Sequence, residues 1–103
     1  MIKISTLDDV IVALCLDYER RAEAIEKGSY GRRTLMEYRY INFRIYEAAA
    51  EIAGDRLAER FIFEIGNKIG YAKSELYQMS EMSYKRKKLE IKRSVAEKLH
   101  LVD

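Results

Sequence analysis

The sequence predicts an all-α protein, and three observations support this prediction. Proline is absent and glycine occurs only five times, whereas helix-forming residues such as Ala, Leu, Glu, Lys and Arg are abundant. Apolar residues recur at steps of three and four along most of the chain. Charged residues make up 35% beside 49% hydrophobic residues, a balance that suits amphipathic helices and argues against disorder. At 103 residues we expect one domain, 1–103, with one hydrophobic core.

The first half predicts an antiparallel helical hairpin over residues 6–54. Thr6 can cap a helix that ends at Gly28, and Gly54 closes a second helix that runs over 35–53. Each helix has one apolar stripe: Leu7, Ile11, Leu14, Tyr18, Ala22 and Ile25 in the first, and Leu35, Tyr38, Asn42, Ile45, Ala49 and Ile52 in the second. The short loop between them favours antiparallel packing.

The hairpin has more apolar surface than the contact between its two helices would bury. Met36, Tyr40, Phe43 and Ala50 form a second apolar edge. Tyrosines are also frequent there, and at helical spacing they indicate half-buried positions or a protein interface rather than a platform for stacked bases. We therefore predict that residues 7–27 and 35–53 form a homodimer contact.

The third helix is predicted over residues 56–68, with Asp55 as its cap. Gly66-Asn67 could instead form the turn of a β-hairpin. That pairing places Phe61, Phe63 and Ile65 on one face with a lysine and a glycine, which makes a poor core. The helix aligns Leu57, Phe61, Ile65 and Ile69 at steps of four, so it is preferred although Gly66 costs it about 1 kcal/mol.

The last third predicts a short helix over 72–79 and a long basic helix over 81–99 capped by Ser80. Between residues 80 and 99, seven basic residues face three acids, a formal charge of +4 against +2 for the whole chain. With the third helix, this order predicts a helix-turn-helix-like unit over 55–103. The helical wheel places Met82, Leu89, Ala96 and Leu99 in the core, with Ile91 and Val95 at its edge, and turns Ser83, Arg86, Lys87 and Arg93 outward. A charged face of this kind is also typical of an ordinary solvated helix.

A resemblance to a known family rests on the run from Gly70-Tyr71 through Ser74-Glu75-Leu76 and Met79-Ser80-Glu81-Met82-Ser83-Tyr84-Lys85-Arg86-Lys87-Lys88-Leu89 to Ala96-Glu97-Lys98-Leu99. This run resembles the C-terminal half of phage-encoded late transcriptional regulators of the RinA and ArpU type, whose helix-turn-helix is similar to region 4 of sigma factors. The resemblance implies DNA contacts at Ser80, Glu81, Ser83, Tyr84, Arg86 and Lys87. The chain departs from the family at Tyr77-Gln78, where a small residue is usual.

The first functional hypothesis is accordingly a phage- or mobile-element-derived transcriptional regulator that binds double-stranded DNA. Ser80, Ser83 and Tyr84 lie at the start of its basic helix, while Arg86, Lys87 and Arg93 contact the groove or phosphates. The alternative is a small helical interaction protein, such as a phage-encoded inhibitor or adaptor, which uses the same face against an acidic surface of a host protein. A purely structural oligomer is the third alternative.

Catalytic and metal-binding patterns are absent from the sequence. Glu19–Glu23 and Glu47–Glu51 have the i, i+4 spacing of di-iron bundles but lack the Glu-x-x-His motif. The single histidine, His100, has no nearby partner, and Cys15 lies in an apolar run, which predicts a buried, inert thiol. We expect no enzyme activity, no metal and no cofactor. Without a signal peptide or an apolar run of membrane-spanning length, we also expect a cytoplasmic protein with no membrane contact.

Overall fold

The computed structural model of the protein describes residues 4–102, and both extreme ends of the predicted domain lie outside this range. Within it the chain is all-helical, without a β-strand, which confirms the predicted fold class. The helices are α1 (Ile4–Leu16), α2 (Tyr18–Lys27), α3 (Arg32–Ala53), α4 (Asp55–Gly66) and α5 (Glu81–Lys98), with a short 3₁₀ turn at Tyr71–Lys73.

The predicted first helix bends at Asp17 into α1 and α2. The bend is held by Arg21, a buried residue whose Nε donates to Asn42 Oδ1 at 2.7 Å and whose Nη2 donates to the carbonyl of Leu14. Asn42 Nδ2 in turn donates to the Tyr18 carbonyl at 3.0 Å. The Arg21 guanidinium thus satisfies the Leu14 carbonyl, which has no backbone partner across the junction. Asn42, the polar residue in the apolar stripe of α3, thus helps to hold the bend between α1 and α2.

The bend gives the two segments different neighbours. Helix α1 packs mainly against α4, whereas the main partner of α2 is α3. The antiparallel hairpin therefore consists of α2 and α3 alone. No residue of α3 before Asn42 is buried, so the outer part of this hairpin lacks a covering layer.

One hydrophobic core joins both predicted halves of the chain. Its buried residues come from α1, α3, α4, α5 and the segment before α5, and they are Ile11, Val12, Cys15, Ile45, Ala48, Ala49, Ala58, Phe61, Ile62, Ile65, Leu76, Tyr84, Ile91, Val95 and Ala96. A shared core of this kind couples the hairpin base to α5, so we expect the two halves to unfold together.

The third helix forms as predicted, with bounds at Asp55 and Gly66 instead of 56 and 68. Gly66 lies where α4 crosses α1. A Cβ atom on Gly66 would lie 2.6 Å from the Leu16 nitrogen and 2.8 Å from the Cys15 carbonyl carbon. Because these are backbone atoms that cannot rotate away, glycine is needed for the close crossing, and its poor helix propensity is the cost.

We predict that Gly66→Ala destabilises the protein although alanine is the better helix former. Separating α1 from α4 should lower the free energy of unfolding by about 1–3 kcal/mol, measured by urea denaturation. Gly70→Ala is the matched control, since a Cβ at Gly70 meets no atom within 4 Å and the backbone there has a negative φ of −85°. A gain of stability in the Gly66 variant would contradict the close crossing.

The predicted short helix over 72–79 is wrong. After the 3₁₀ turn at Tyr71–Lys73 the chain runs without helix to Ser80. Side chains take up the backbone groups that a helix would use: the Glu75 N–H donates to Glu64 Oε2 at 3.2 Å, and the Leu76 N–H donates to Ser74 Oγ at 2.8 Å. The second helix of a helix-turn-helix is therefore not formed between α4 and α5.

Candidate interaction surfaces

Helix α5 has well-defined ends. Ser80 caps it as predicted, since its Oγ accepts a hydrogen bond from the Ser83 N–H at 3.1 Å. At the other end His100 adopts a left-handed conformation with φ of 58°, and the Leu101 N–H donates to the Ala96 carbonyl at 2.8 Å. This is the geometry of a Schellman cap, so His100 terminates the helix.

The face of α5 that meets the core differs from the predicted one. Tyr84, Ile91 and Val95 are fully buried, whereas Met82 is 79% exposed and Leu89 is 50% exposed. The predicted core positions Met82 and Leu89 are thus wrong, while Ala96 is buried as predicted. The largest of the buried side chains, Tyr84, decides the rotation of the helix because its ring and its hydroxyl both have partners inside.

Tyr84 was predicted to contact DNA, and the structure contradicts this. Its ring stacks on Phe61 with centroids 5.7 Å apart and an interplanar angle of 28°. Its hydroxyl lies 2.6 Å from Glu64 Oε1, and the residue is only 1% exposed. A side chain held in this way is part of the core and cannot reach a nucleic acid.

Glu64 is a buried carboxylate that sequence reasoning did not single out. Hydroxyls of Ser74 and Tyr84 donate to it at 2.5 and 2.6 Å, Arg60 Nε at 2.7 Å and the Glu75 N–H at 3.2 Å. Burial raises the pKa of Glu64, but these four donors outweigh it and leave the pKa below its ordinary value. The sequence feature that could have indicated a buried, paired carboxylate is Glu64 within an apolar run, with Arg60 four residues before it.

We predict that Tyr84→Phe lowers the free energy of unfolding by about 2 kcal/mol, because it removes a donor from a buried carboxylate. The depressed pKa of Glu64 stabilises the fold above the unfolded value of about 4.3, and this contribution is lost as the pH falls through the folded pKa. In the variant that pKa rises, so acid destabilisation should begin at a higher pH.

Urea denaturation across the acid range, with an NMR titration of the Glu64 carboxyl, measures both effects. Tyr77→Phe is the control, because Tyr77 is 69% exposed and its loss of a hydroxyl should change little. Equal stability of the two variants would show that the Tyr84–Glu64 bond does not hold α5.

Four of the five lysines of α5 are directed at other parts of the protein. Lys92 Nζ lies 2.9 Å from Asp8 Oδ1 on α1, and Lys98 Nζ lies 3.3 and 3.2 Å from carboxylate oxygens of Glu47 and Glu51 on α3. Lys88 Nζ donates to the Ile69 carbonyl at 2.7 Å and Lys87 Nζ to the Ile52 carbonyl at 3.5 Å. The predicted DNA contact Lys87 is therefore half-buried, and these four lysines tie α5 to its neighbours.

The solvent-exposed charges of α5 balance one another. Three cations (Lys85, Arg86 and Arg93) and three carboxylates (Glu81, Glu90 and Glu97) are exposed to solvent. Lys85 pairs with Glu81 at 3.4 Å, Arg86 approaches Glu90 at 4.0 Å, and Arg93 has no ion pair within residues 4–102. The excess of positive charge in the sequence of this helix is not an exposed basic patch.

The outermost line of α5 combines apolar and basic residues. Met82, Arg86, Leu89 and Arg93 follow one another at steps of four, three and four, and all four are exposed; we call them the α5 outer face. Of the remaining predicted site residues, Ser80 is exposed at the tip of the helix and Ser83 is half-buried.

A groove adjoins the α5 outer face. It has a volume of about 310 Å³ and is lined mostly by apolar groups of α1, α5 and the C-terminal segment, including Leu7, Ile11, Leu89, Ala96 and Val102. Arg93 stands at its edge. The α5 outer face and this groove together form one continuous surface with apolar contacts and a free guanidinium.

A second surface lies on the hairpin. Met36, Tyr40 and Phe43, three members of the predicted second apolar edge, are 57%, 49% and 55% exposed. Ala22, which is exposed, and Ile25, which is half-buried, line a groove with Phe43, although both belong to the stripe that was predicted to face the core. We call Ala22, Ile25, Met36, Tyr40 and Phe43 the hairpin face.

Cys15 is the free cysteine of the described part of the chain, and it is buried. Burial raises the pKa of the Cys15 thiol to about 12, which keeps it protonated at neutral pH, so its predicted buried position is confirmed. Between residues 4 and 102 no group of His, Cys, Asp and Glu is arranged to hold a metal ion. No helix in this range has both the length and the apolar character to cross a bilayer.

Comparison of the chain with protein-family models, with curated proteins and with solved structures finds no match. The resemblance to RinA- and ArpU-type regulators therefore stays a hypothesis.

Proposed function

We propose that this protein is a small, non-enzymatic helical interaction module that docks onto another protein through the α5 outer face. The observation that carries the proposal is the exposure of Met82 and Leu89, which alternate with Arg86 and Arg93 on one line of a helix whose opposite side is fixed in the core. Methionine and arginine are enriched in the cores of protein interfaces relative to other surfaces.

The surroundings of this line support docking. The groove beside Leu89 offers room for apolar side chains of a partner, and Arg93 at its edge is free to bind a carboxylate. The buried bonds of Tyr84 and the inward lysines hold the helix in one position, so little conformational freedom is lost on binding. A partner segment with apolar residues and one or two carboxylates fits this surface.

Binding of double-stranded DNA is the second candidate function. Arg86 and Arg93 are seven residues apart, about 10.5 Å along the helix, and lie on the same exposed face of α5. Two features favour the protein partner over DNA. The exposed charges of α5 are balanced, and large apolar residues occupy the positions that would approach the groove.

We predict that a photoreactive amino acid in place of Leu89 forms a specific adduct with a protein in extracts of the source organism. The adduct should resist nuclease, its second component should digest to peptides, and Arg93→Glu should abolish it. The same photoreactive residue at Tyr77, which is exposed on the segment before α5, is the matched control and should give no such adduct.

The same preparations decide between the two candidates. If DNA is the ligand, the adduct is sensitive to nuclease and duplex binding is lost in Arg86→Glu but retained in Leu89→Gln. Neutralisation of phosphates by three exposed cations would then give a slope of log K against log salt of about −2.7. Such a slope, together with an adduct of nucleic acid, would overturn the docking proposal.

A further inference from the structure

The hairpin face contains a groove that the rest of the chain leaves open. Tyr18, Ala22 and Ile25 of α2 line one wall, and Arg39, Phe43 and Tyr46 of α3 line the other, around a volume of about 340 Å³. Phe43 remains 55% exposed there. Two helices packed side by side with an apolar groove between them are half of a four-helix bundle.

Charged residues of opposite sign follow the two walls. Glu19 and Glu26 flank Ala22 on α2, at steps of three and four, so both lie on that side of the helix. On α3, Arg39 lines the groove and Arg32 lies two turns before it on the same side. All four are exposed, and none has an ion pair in the part of the chain that the structure describes.

The spacing of these charges is the same on both walls. The two glutamates are seven residues apart, and so are the two arginines, which corresponds to about 10.5 Å in each helix. An acidic wall and a basic wall of equal length are complementary to each other. The surface is therefore complementary to a second copy of itself.

We infer that a second copy of this chain occupies the groove, so that α2 of one protomer lies on α3 of the other in a four-helix bundle. A two-fold axis along the helices produces this arrangement and places each acidic wall against a basic wall. An axis across the helices would place α2 on α2 and oppose like charges, which the pattern disfavours. Phe43 and Ile25 are then buried in the bundle, and Met36 and Tyr40 border it.

This dimer is independent of the docking proposed for α5, which involves different residues. Together the two surfaces would make a bivalent protein, with one α5 outer face for each protomer. A foreign amphipathic helix in the same groove is the competing occupant. A variant in which a glutamate of one wall and an arginine of the other are exchanged distinguishes a second copy from a foreign helix. Only a second copy carries both substitutions and can therefore restore opposite charges across the interface.

The test is sedimentation equilibrium of the full chain, with circular dichroism to verify folding. Wild type is expected to be dimeric, and Phe43→Glu monomeric and folded. Glu19 of one protomer lies level with Arg39 of the other, so Arg39→Glu and Glu19→Arg should each raise the dimer Kd by about 100-fold, because like charges then meet across the interface. The double variant Glu19→Arg/Arg39→Glu should restore the wild-type Kd, and Leu89→Glu, on the α5 outer face, should leave it unchanged.

A wild-type chain that stays monomeric up to millimolar concentration would overturn the inference. Failure of the double variant to recover dimerisation, while both single variants fold, would overturn the proposed pairing of α2 with α3. Loss of the dimer in Leu89→Glu but not in Phe43→Glu would place the contact on α5 instead.

Discussion

The structure depends on the buried carboxylate of Glu64. It lies in α4, but its hydrogen bonds reach the segment before α5 through Ser74 and Glu75, and α5 itself through Tyr84. The hydrogen bonds replace water for a charge that is 0% exposed, so loss of any one of them is costly. One side chain thus determines where the irregular segment runs and which face of α5 turns inward. The exposed line of Met82, Arg86, Leu89 and Arg93 follows from that rotation.

The two surfaces of the molecule have different origins in the fold. The α5 outer face is exposed because the opposite side of that helix is fully used by the core and by ionic contacts. The hairpin face is exposed because α1 and α2 diverge at Asp17, where Arg21 and Asn42 hold the bend. Helix α1 joins the core on α4, and α2 is left with α3 as its main partner. The dimer and the docking proposed above would each use one of these surfaces.

Much of the fold could be predicted from local patterns, and the departures have physical causes. Gly28, Gly54 and the Ser80 cap marked helix ends correctly because capping depends on nearby residues. The short helix over 72–79 was wrong because Glu64, at least ten residues away in sequence, accepts hydrogen bonds there from the Ser74 hydroxyl and the Glu75 N–H. The predicted core face of α5 was wrong because Met82 and Leu89 are as apolar as Ile91 and Val95. Only the burial of Tyr84 distinguishes the two faces. Charge counting likewise could not show that Lys88, Lys92 and Lys98 face inward.

The most direct test of this account is the reactivity of individual lysines towards a limiting amount of an acylating reagent, measured by mass spectrometry on the folded protein. The side chain of Lys85 is 69% exposed, whereas those of Lys92 and Lys98 are 26% and 18% exposed and ion-paired to other helices. Lys85 should therefore react quickly, at a rate close to that of the exposed Lys27, and Lys92 and Lys98 should be protected. Equal reactivity of all four would show that the basic residues of α5 are free, and would contradict the inward anchoring on which the α5 outer face depends.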